Sequence, residues 1–484
     1  CHQESPSADP HDPVSQRALI GFNSQDPITE LTDADTANEP GVAPLQFSTK
    51  RVWAASRQLR DIKAAGTLPE DNRIIKDICE YGGLHAMTKW LNAAARDEMH
   101  PDLKDMLAGA CRAGLNQKLH PVSGAFKGWR PLGMCEKSAG LFWGCVNGEM
   151  KGAINHHLTH PLPEDVAAHQ LDIDNAAAAV TARRVELDAA AAVGGAAASR
   201  AQAAFEAATA TLQRAQRPFK YVTNWCYARA GTVTLATMVR GWNEAEPHKG
   251  TLSDDIEAMY QNVDRATAFA AIRRRFPSLL ASFRLFFATS AVIWFGGATV
   301  PIERAADGRV ILGNAFSTEK LRSRVGGCQG LGGSTIFCVL PYHECLAHTQ
   351  RLNPTSDIGV TADDSYIFDD ISAESACEDE NGEQHSCQLA KTFADKRRLA
   401  ARMGLYSGLP KVAVYSDEGD LDAMPACVPG SPHHPTDSDR VTNITVAGVI
   451  VGDDDACRDA LTALITARLK PLDHVLAMED TEDV

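Results

Sequence analysis

At 484 residues the chain is long enough for about two to four structural units, and 44% hydrophobic with 23% charged residues is ordinary for a globular protein. It contains no apolar run of about 18 residues, which argues against a membrane-spanning helix. Its thirteen cysteines lack paired Cys-x-x-Cys spacing, which argues against a disulfide framework and points to reduced thiols in the nucleus or cytoplasm.

The net charge of −15 is unevenly spread. Residues 1–45, 369–385 and 471–484 carry −7, −7 and −5, leaving the remainder at +4. The acidic stretches are expected to be solvated, and the basic remainder permits nucleic-acid binding. The polar start, without an initiating Met, reads as no signal peptide and as the beginning of a fragment.

Residues 1–45 lack apolar periodicity and predict a disordered acidic arm. A helical pattern begins at Phe47, with Val52, Leu59 and Ile62 on one side. Ile74, Ile75, Ile78, Tyr81, Met87, Trp90 and Leu91 predict a stronger helix, and a third is expected over 102–115. The stretch Lys127–Pro131 reads as a basic turn-rich loop, in which Arg130 presents a fork suited to phosphate. Residues 46–164 are thus expected to be largely helical. Residues 165–217 are Ala-rich and predict a two-helix insertion broken at Gly194-Gly195.

Residues 218–455 have a mixed pattern. SDDIEAMYQNVDR places Tyr260 five residues after Asp255, and the Arg273-Arg274-Arg275 run lies just beyond. Two β-rich runs meet at Asp307-Gly308, a hairpin signal. Glycines cluster around Gln329 ahead of an apolar helix, which lets backbone approach a ligand closely. In GVTADDSYIF the apolar flanks predict a hairpin with Asp363 and Asp364 at its turn. Adjacent carboxylates repel, and a divalent cation with oxygen ligands relieves that repulsion. An acidic insertion at 369–388 follows, expected to lack stable packing over 371–388. Next come an amphipathic helix ending at Gly404 and strands at 411–416 and 444–452. Residues 456–484 read as the start of a further helical unit or a mobile acidic tail. His343, Cys345 and His348 lie close together but lack a fourth zinc ligand, and His156, His157 and His160 are expected in a polar loop.

In this order the motifs resemble the reverse transcriptase of non-LTR retrotransposons, over roughly residues 50–455. DIEAMY looks like that family's Asp-x-x-x-x-aromatic motif, with Asp255 a metal ligand and Tyr260 a gate against the 2′-OH. Gln329, Gly330 and Ser334 match its Gln-Gly-x-Pro-x-Ser turn, and TADD matches Tyr-Ala-Asp-Asp. GLYSGLPK is similar to Gly-Leu-x-Leu-Asn-x-x-Lys, ending at Lys411. Arg130-Pro131 and Glu136 match an Arg-Pro-Ile…Gly-Glu pattern, and AGVIVGDD looks like the strand that grips the primer. Thr361 stands for the usual aromatic, Gly332 for Pro, and Ser407-Gly408 for Leu-Asn.

The resemblance implies an α+β right-hand polymerase. Its fingers and palm would have an antiparallel palm sheet backed by helices, with an incomplete thumb. Fingers would comprise 46–164 and about 266–322, and the palm the rest of 218–455. Two Mg²⁺ ions, with Mn²⁺ as a substitute, would be held by Asp255, Asp363 and Asp364. Arg130, Tyr260, Gln329 and Gly330 would bind the nucleotide, and Lys411 would protonate the leaving pyrophosphate. The implied partners are an RNA template, a DNA primer and dNTPs, with Arg273, Arg274 and Arg275 either on the nucleic-acid backbone or on a solvated face. The competing readings are a catalytically decayed nucleic-acid-binding descendant and an RNA-directed RNA polymerase, the latter disfavoured by Tyr260.

Overall fold

The structure is a computed structural model describing residues 29–59, 72–100, 104, 110–119, 126–134, 137–192, 194–216, 219–288, 291–295, 299–304, 310–314, 320–327, 331–378, 382–385, 387–418, 443–446, 449–452 and parts of 455–466. It is a mixed α/β molecule.

The first described element is α1 (Asp33–Thr36), closed by a reciprocal capping box between Thr32 and Asp35. Thr36 is buried, and Leu45 N–H donates to the Ser278 carbonyl at 3.0 Å. The part of the expected disordered arm that is described, 29–45, is therefore docked. Its carbonyls are gripped by Arg273, which donates to those of Ala34, Asp35 and Ala37 at 2.7–3.1 Å.

Helix α2 (Thr49–Arg57) is capped by Ser48 and buries Val52. The expected single helix over 74–91 is instead two, α3 (Asn72–Glu80) and α4 (Leu84–Ala95). The chain breaks at Gly82, whose φ of +103° an L side chain rarely adopts. The expected helix over 102–115 is corrected over 110–115, where β1 (Ala110–Leu119) runs, while 102–109 apart from Lys104 lie outside the described residues; the expected loop at 127–131 is overturned by β2 (Phe126–Met134), antiparallel to β1. Helix α5 (Lys137–Thr159) carries His156 and His157, so these are helical and not in a polar loop.

The Ala-rich stretch forms two paired helices, α6 (Pro163–Ala191) and α7 (Gly195–Ala215), with positive φ at Gly194 and Gly195 between them. There follow β3 (Thr223–Asn224), α8 (Gly231–Ala245), β4 (Gly250–Asp255), α9 (Met259–Asn262), α10 (Arg265–Arg275) and α11 (Leu280–Phe287). Strands β5 (Ala291–Phe295), β6 (Thr299–Arg304), β7 (Val310–Asn314) and β8 (Lys320–Ser323) come next, with β6 and β7 paired as expected around 305–309. A four-stranded sheet of order β2-β1-β5-β8 joins 110–134 to 291–323.

The central sheet has five strands, adding β9 (Asp357–Thr361), β10 (Asp364–Asp369) and β13 (Ala413–Tyr415) in the order β13-β4-β10-β9-β3. Its pairs are antiparallel except β3–β9, so the sheet is mixed rather than purely antiparallel. The period-two pleat divides it. Leu252, Ile367 and Val414 pack with Leu389 and Phe393 of α13 (Gln388–Ala401). Tyr366 and Tyr415 pack with Leu235 and Val239 of α8 and with a hairpin of β14 (Asn443–Val446) and β15 (Val449–Gly452), where one strand was expected. The largest core cluster centres on α12 (Ser334–Leu352), where Phe337 stacks on Phe287 with ring centres 4.3 Å apart.

The 371–388 insertion is also corrected. Ile371 and Cys387 are buried in the core, and β11 (Cys377–Glu378) pairs with β12 (Gln384–His385). Glu374, Glu378 and Glu383 are exposed while Ile371 and Cys387 hold it, a division that bulk composition hides. Residues 1–28, and most of 456–484, lie outside the described residues.

Candidate active site

Asp255 ends β4, and Asp364 begins β10 directly opposite it in the antiparallel register. Asp363 occupies the two-residue turn that joins β9 to β10, after Thr361 and Ala362. Ile256 N–H donates to the Asp363 carbonyl at 3.3 Å, which ties the turn to the chain leaving β4. Acids more than 100 residues apart in sequence thus share one strand end.

The backbone here is strained. Among the described non-glycine residues only Asp97, Ala230, Ala258 and Ala362 have positive φ, and two of these four flank the acids. Ala258 has φ +48° and Ala362 +56°. The left-handed region costs an L residue about 1–2 kcal/mol, and such strain concentrates at functional sites. Asn224, fully buried on β3, helps hold the turn: its Oδ1 accepts from Ala362 N–H at 3.4 Å and Cys226 N–H at 3.2 Å. Nothing in the sequence pattern singled out Asn224.

Burial pushes the Asp364 carboxyl up to about 7, with the neighbouring charges of Asp363 and Asp255 adding to the rise and Lys411 opposing it. Lys411 pairs directly with Asp255. It sits in a short 3-10 turn (Leu409–Lys411) ahead of β13, not within a strand as expected. This turn is docked by Gly408 N–H on the Asp255 carbonyl and Glu257 N–H on the Tyr406 carbonyl, both at 2.8 Å.

Tyr260 is on α9, one turn beyond Asp255, and its hydroxyl meets Thr335 Oγ1 at 3.3 Å. Burial above all pushes the Tyr260 phenol up to about 12, and Asp363 contributes. The glycine-rich turn packs against this helix: Gly327 N–H donates to the Tyr260 carbonyl at 2.7 Å, and Gly326 N–H to the Val263 carbonyl at 2.9 Å. A Cβ on Gly326, at φ +63°, would stand 2.3 Å from the Tyr260 carbonyl oxygen, so no other residue fits without movement. Gly332 and Gly333 lie under the Trp143 side chain, where a Cβ would come within 2.6 and 2.3 Å. Proline at 332 would collide with Trp143, which explains that departure locally.

Asp255, Asp363, Asp364, Tyr260 and Lys411 are thus gathered. Gln329 and Gly330 lie outside the described residues, and of Arg130 only the backbone, paired with Asn116 on β1, is described. Each of the three arginines of α10 has a partner within the fold. Arg273 holds the N-terminal arm, Arg274 pairs with Glu344, and Arg275 pairs with both Glu344 and Glu164. Arg274 is still exposed, with 54% of its side chain accessible, as a solvated face requires, whereas Arg275 is largely covered.

Among the described residues no group of three or more His, Cys, Asp or Glu side chains is arranged to hold a metal ion. His343 and Cys345 are buried in the helical core, with His343 against His157 at 5.5 Å between ring centres. The carboxylates of Asp255 and Asp364 offer a cross-strand pair beside the single cation Lys411. That donor set suits a hard cation which keeps waters and takes phosphate oxygens as its other ligands. Among the described residues no helix is long and apolar enough to cross a membrane. No protein-family model matches the chain, and no curated protein matches it.

Proposed function

We propose that this chain is an RNA-directed DNA polymerase of the right-hand type, akin to the reverse transcriptases of non-LTR retrotransposons. The observation that carries the reading is the register of β4 and β10, in which Asp364 faces Asp255 with Asp363 in the adjoining turn. In this reading the five-stranded sheet is the palm. The four-stranded sheet joins the two separated finger segments, and the helices α6 and α7 are an insertion between functional parts.

Two Mg²⁺ or Mn²⁺ ions held by Asp255, Asp363 and Asp364 would activate a primer 3′-OH and neutralise the triphosphate. The chain's own residues do the rest. Phosphoryl transfer needs positioning and charge balance more than covalent help. The turn under Asp363 places the acids, and the Tyr260 ring, on backbone held by the Gly326 and Gly327 N–H groups, would exclude a 2′-OH by bulk. Lys411, once released from Asp255, would stand ready to protonate the leaving pyrophosphate. Arg130, Gln329 and Gly330 would complete the nucleotide pocket.

Primer extension on an RNA template with Mg²⁺ and dNTPs tests this. Extension by the unmutated chain is expected, and Asp363→Asn should reduce it by more than about a thousandfold. Tyr260→Ala should instead retain part of the dNTP extension and admit ribonucleotides. RNA binding without extension would favour the decayed descendant, and extension that survives Asp363→Asn would refute the site.

A further inference from the structure

The pleat of β4 sends Asp255 to the site and Asp254 to the opposite face, toward α13. There Asp254 forms an ion pair with Lys396 in which both side chains are fully buried. The Lys396 ammonium also lies 5.7 Å from the centre of the Tyr342 ring. Such a pair is a weak source of stability, because desolvating two ions offsets most of their attraction. Further along the same sheet face Leu252, Ile367 and Val414 pack on α13, so an apolar pair would extend that layer.

What an apolar pair would not supply is an acceptor. The Ser407 hydroxyl donates to Asp254 Oδ2 at 2.9 Å. Ser407 lies within the turn that carries Lys411, and its backbone forms a β-bridge with Ile256. Immediately beside it are the two 2.8 Å bonds that dock this turn, Gly408 N–H to Asp255 and Glu257 N–H to Tyr406. Lys411 N–H then closes on the Gly408 carbonyl at 2.7 Å.

We propose that Asp254 and Lys396 are positioning residues: the buried, charge-balanced carboxylate holds Ser407, and through it docks the 404–411 turn so that Lys411 meets Asp255. The docking concerns the fold alone, while its catalytic consequence rests on the polymerase reading.

Three variants of the full chain test this: Ser407→Ala, Ser407→Thr, and the charge-free double variant Asp254→Leu with Lys396→Met. A hydrogen bond to a charged group is lost in the first and third. Amide exchange at Glu257 and Gly408 should therefore quicken by about 10- to 100-fold relative to the β9–β10 amides. Ser407→Thr keeps the hydroxyl and should retain the parent rates. The double variant should melt near the parent temperature, yet extend primers with kcat lowered about 10- to 100-fold and nucleotide KM little changed. A residue serving only as fold support would not produce that split. Parent-like exchange at Glu257 and Gly408 in Ser407→Ala would overturn the proposal, as would a double variant with parental exchange and kcat. If the double variant does not fold, the Ser407 pair decides. Absence of extension by the unmutated chain would count against the polymerase reading, while the exchange rates would still decide the docking.

Discussion

Arg273, Arg274 and Arg275 at the end of α10, and Asp255, Asp363 and Asp364 at the ends of β4 and β10, are both concentrations of like charge, and the fold treats them differently. Each arginine is answered in place: Arg273 by backbone carbonyls, Arg274 by Glu344, and Arg275 by Glu344 and Glu164. Hydrogen bonding from Arg275 draws the Glu164 carboxyl down to about 2. The acids are held together on strained backbone, with Asp255 paired to Lys411 and Asp364 pushed up to about 7. Charges that support a fold are neutralised within it. At the strand ends the balance is only partial, since Lys411 is one cation beside three acids.

The sharpest way to break this contrast is Asp364→Asn. It removes a repelling charge, so the melting temperature at pH 8 should rise. Extension should fall by about 100-fold or more. A loss of both stability and activity would mean that Asp364 is structural.

At the arginine cluster the opposite is expected. Glu344→Gln leaves Arg275, only 16% exposed, short of a counter-charge and should destabilise the chain by about 2–3 kcal/mol in urea unfolding. The folded fraction should keep its RNA affinity and the salt dependence of that affinity. A changed salt slope would show that these arginines reach nucleic acid after all.

The same region should set the response to acid. Burial lowers His157 to about 4 and His343 to about 3. Both are then neutral when folded, while the unfolded chain takes up their protons near pH 6.5. Their contribution to stability is complete above that pH and is lost as pH falls toward 4, by at most about 1.4 kcal/mol per pH unit for each histidine. His343→Gln should flatten this limb of a pH–stability profile, and an unchanged profile would place the acid sensitivity elsewhere.

The smallest effect is expected at the turn. Ala362→Gly removes the left-handed penalty and should stabilise by about 1 kcal/mol in denaturant unfolding, with the acids unmoved. A destabilised variant would show that the Ala362 methyl contributes packing that outweighs the strain.

Local pattern disclosed much of this molecule. The apolar flanks of Asp363 and Asp364, the Ala-rich pair of helices, the β6–β7 hairpin and the helix stopping near Gly404 are all written in side-chain periodicity and turn chemistry. These depend on residues only a few positions apart. Where reading failed, the cause was distant. Residues 110–115 were expected to be helical, but they are part of a strand that β2 pairs from Arg112 onward and that β5, far along the chain, pairs over Ala110–Ala113. Composition made 371–388 look loose, although burial of Ile371 and Cys387 anchors it.

The sequence by itself determined which acids, which tyrosine and which lysine deserve attention, because motif order and spacing survive without knowledge of contacts. Only the tertiary structure decided that Asp254 turns away from the acids to meet Lys396, and which groups Arg273, Arg274 and Arg275 pair with. The physical reason is that a side chain's charge is a local property, whereas the partner that neutralises it is chosen by packing between elements far apart in the chain.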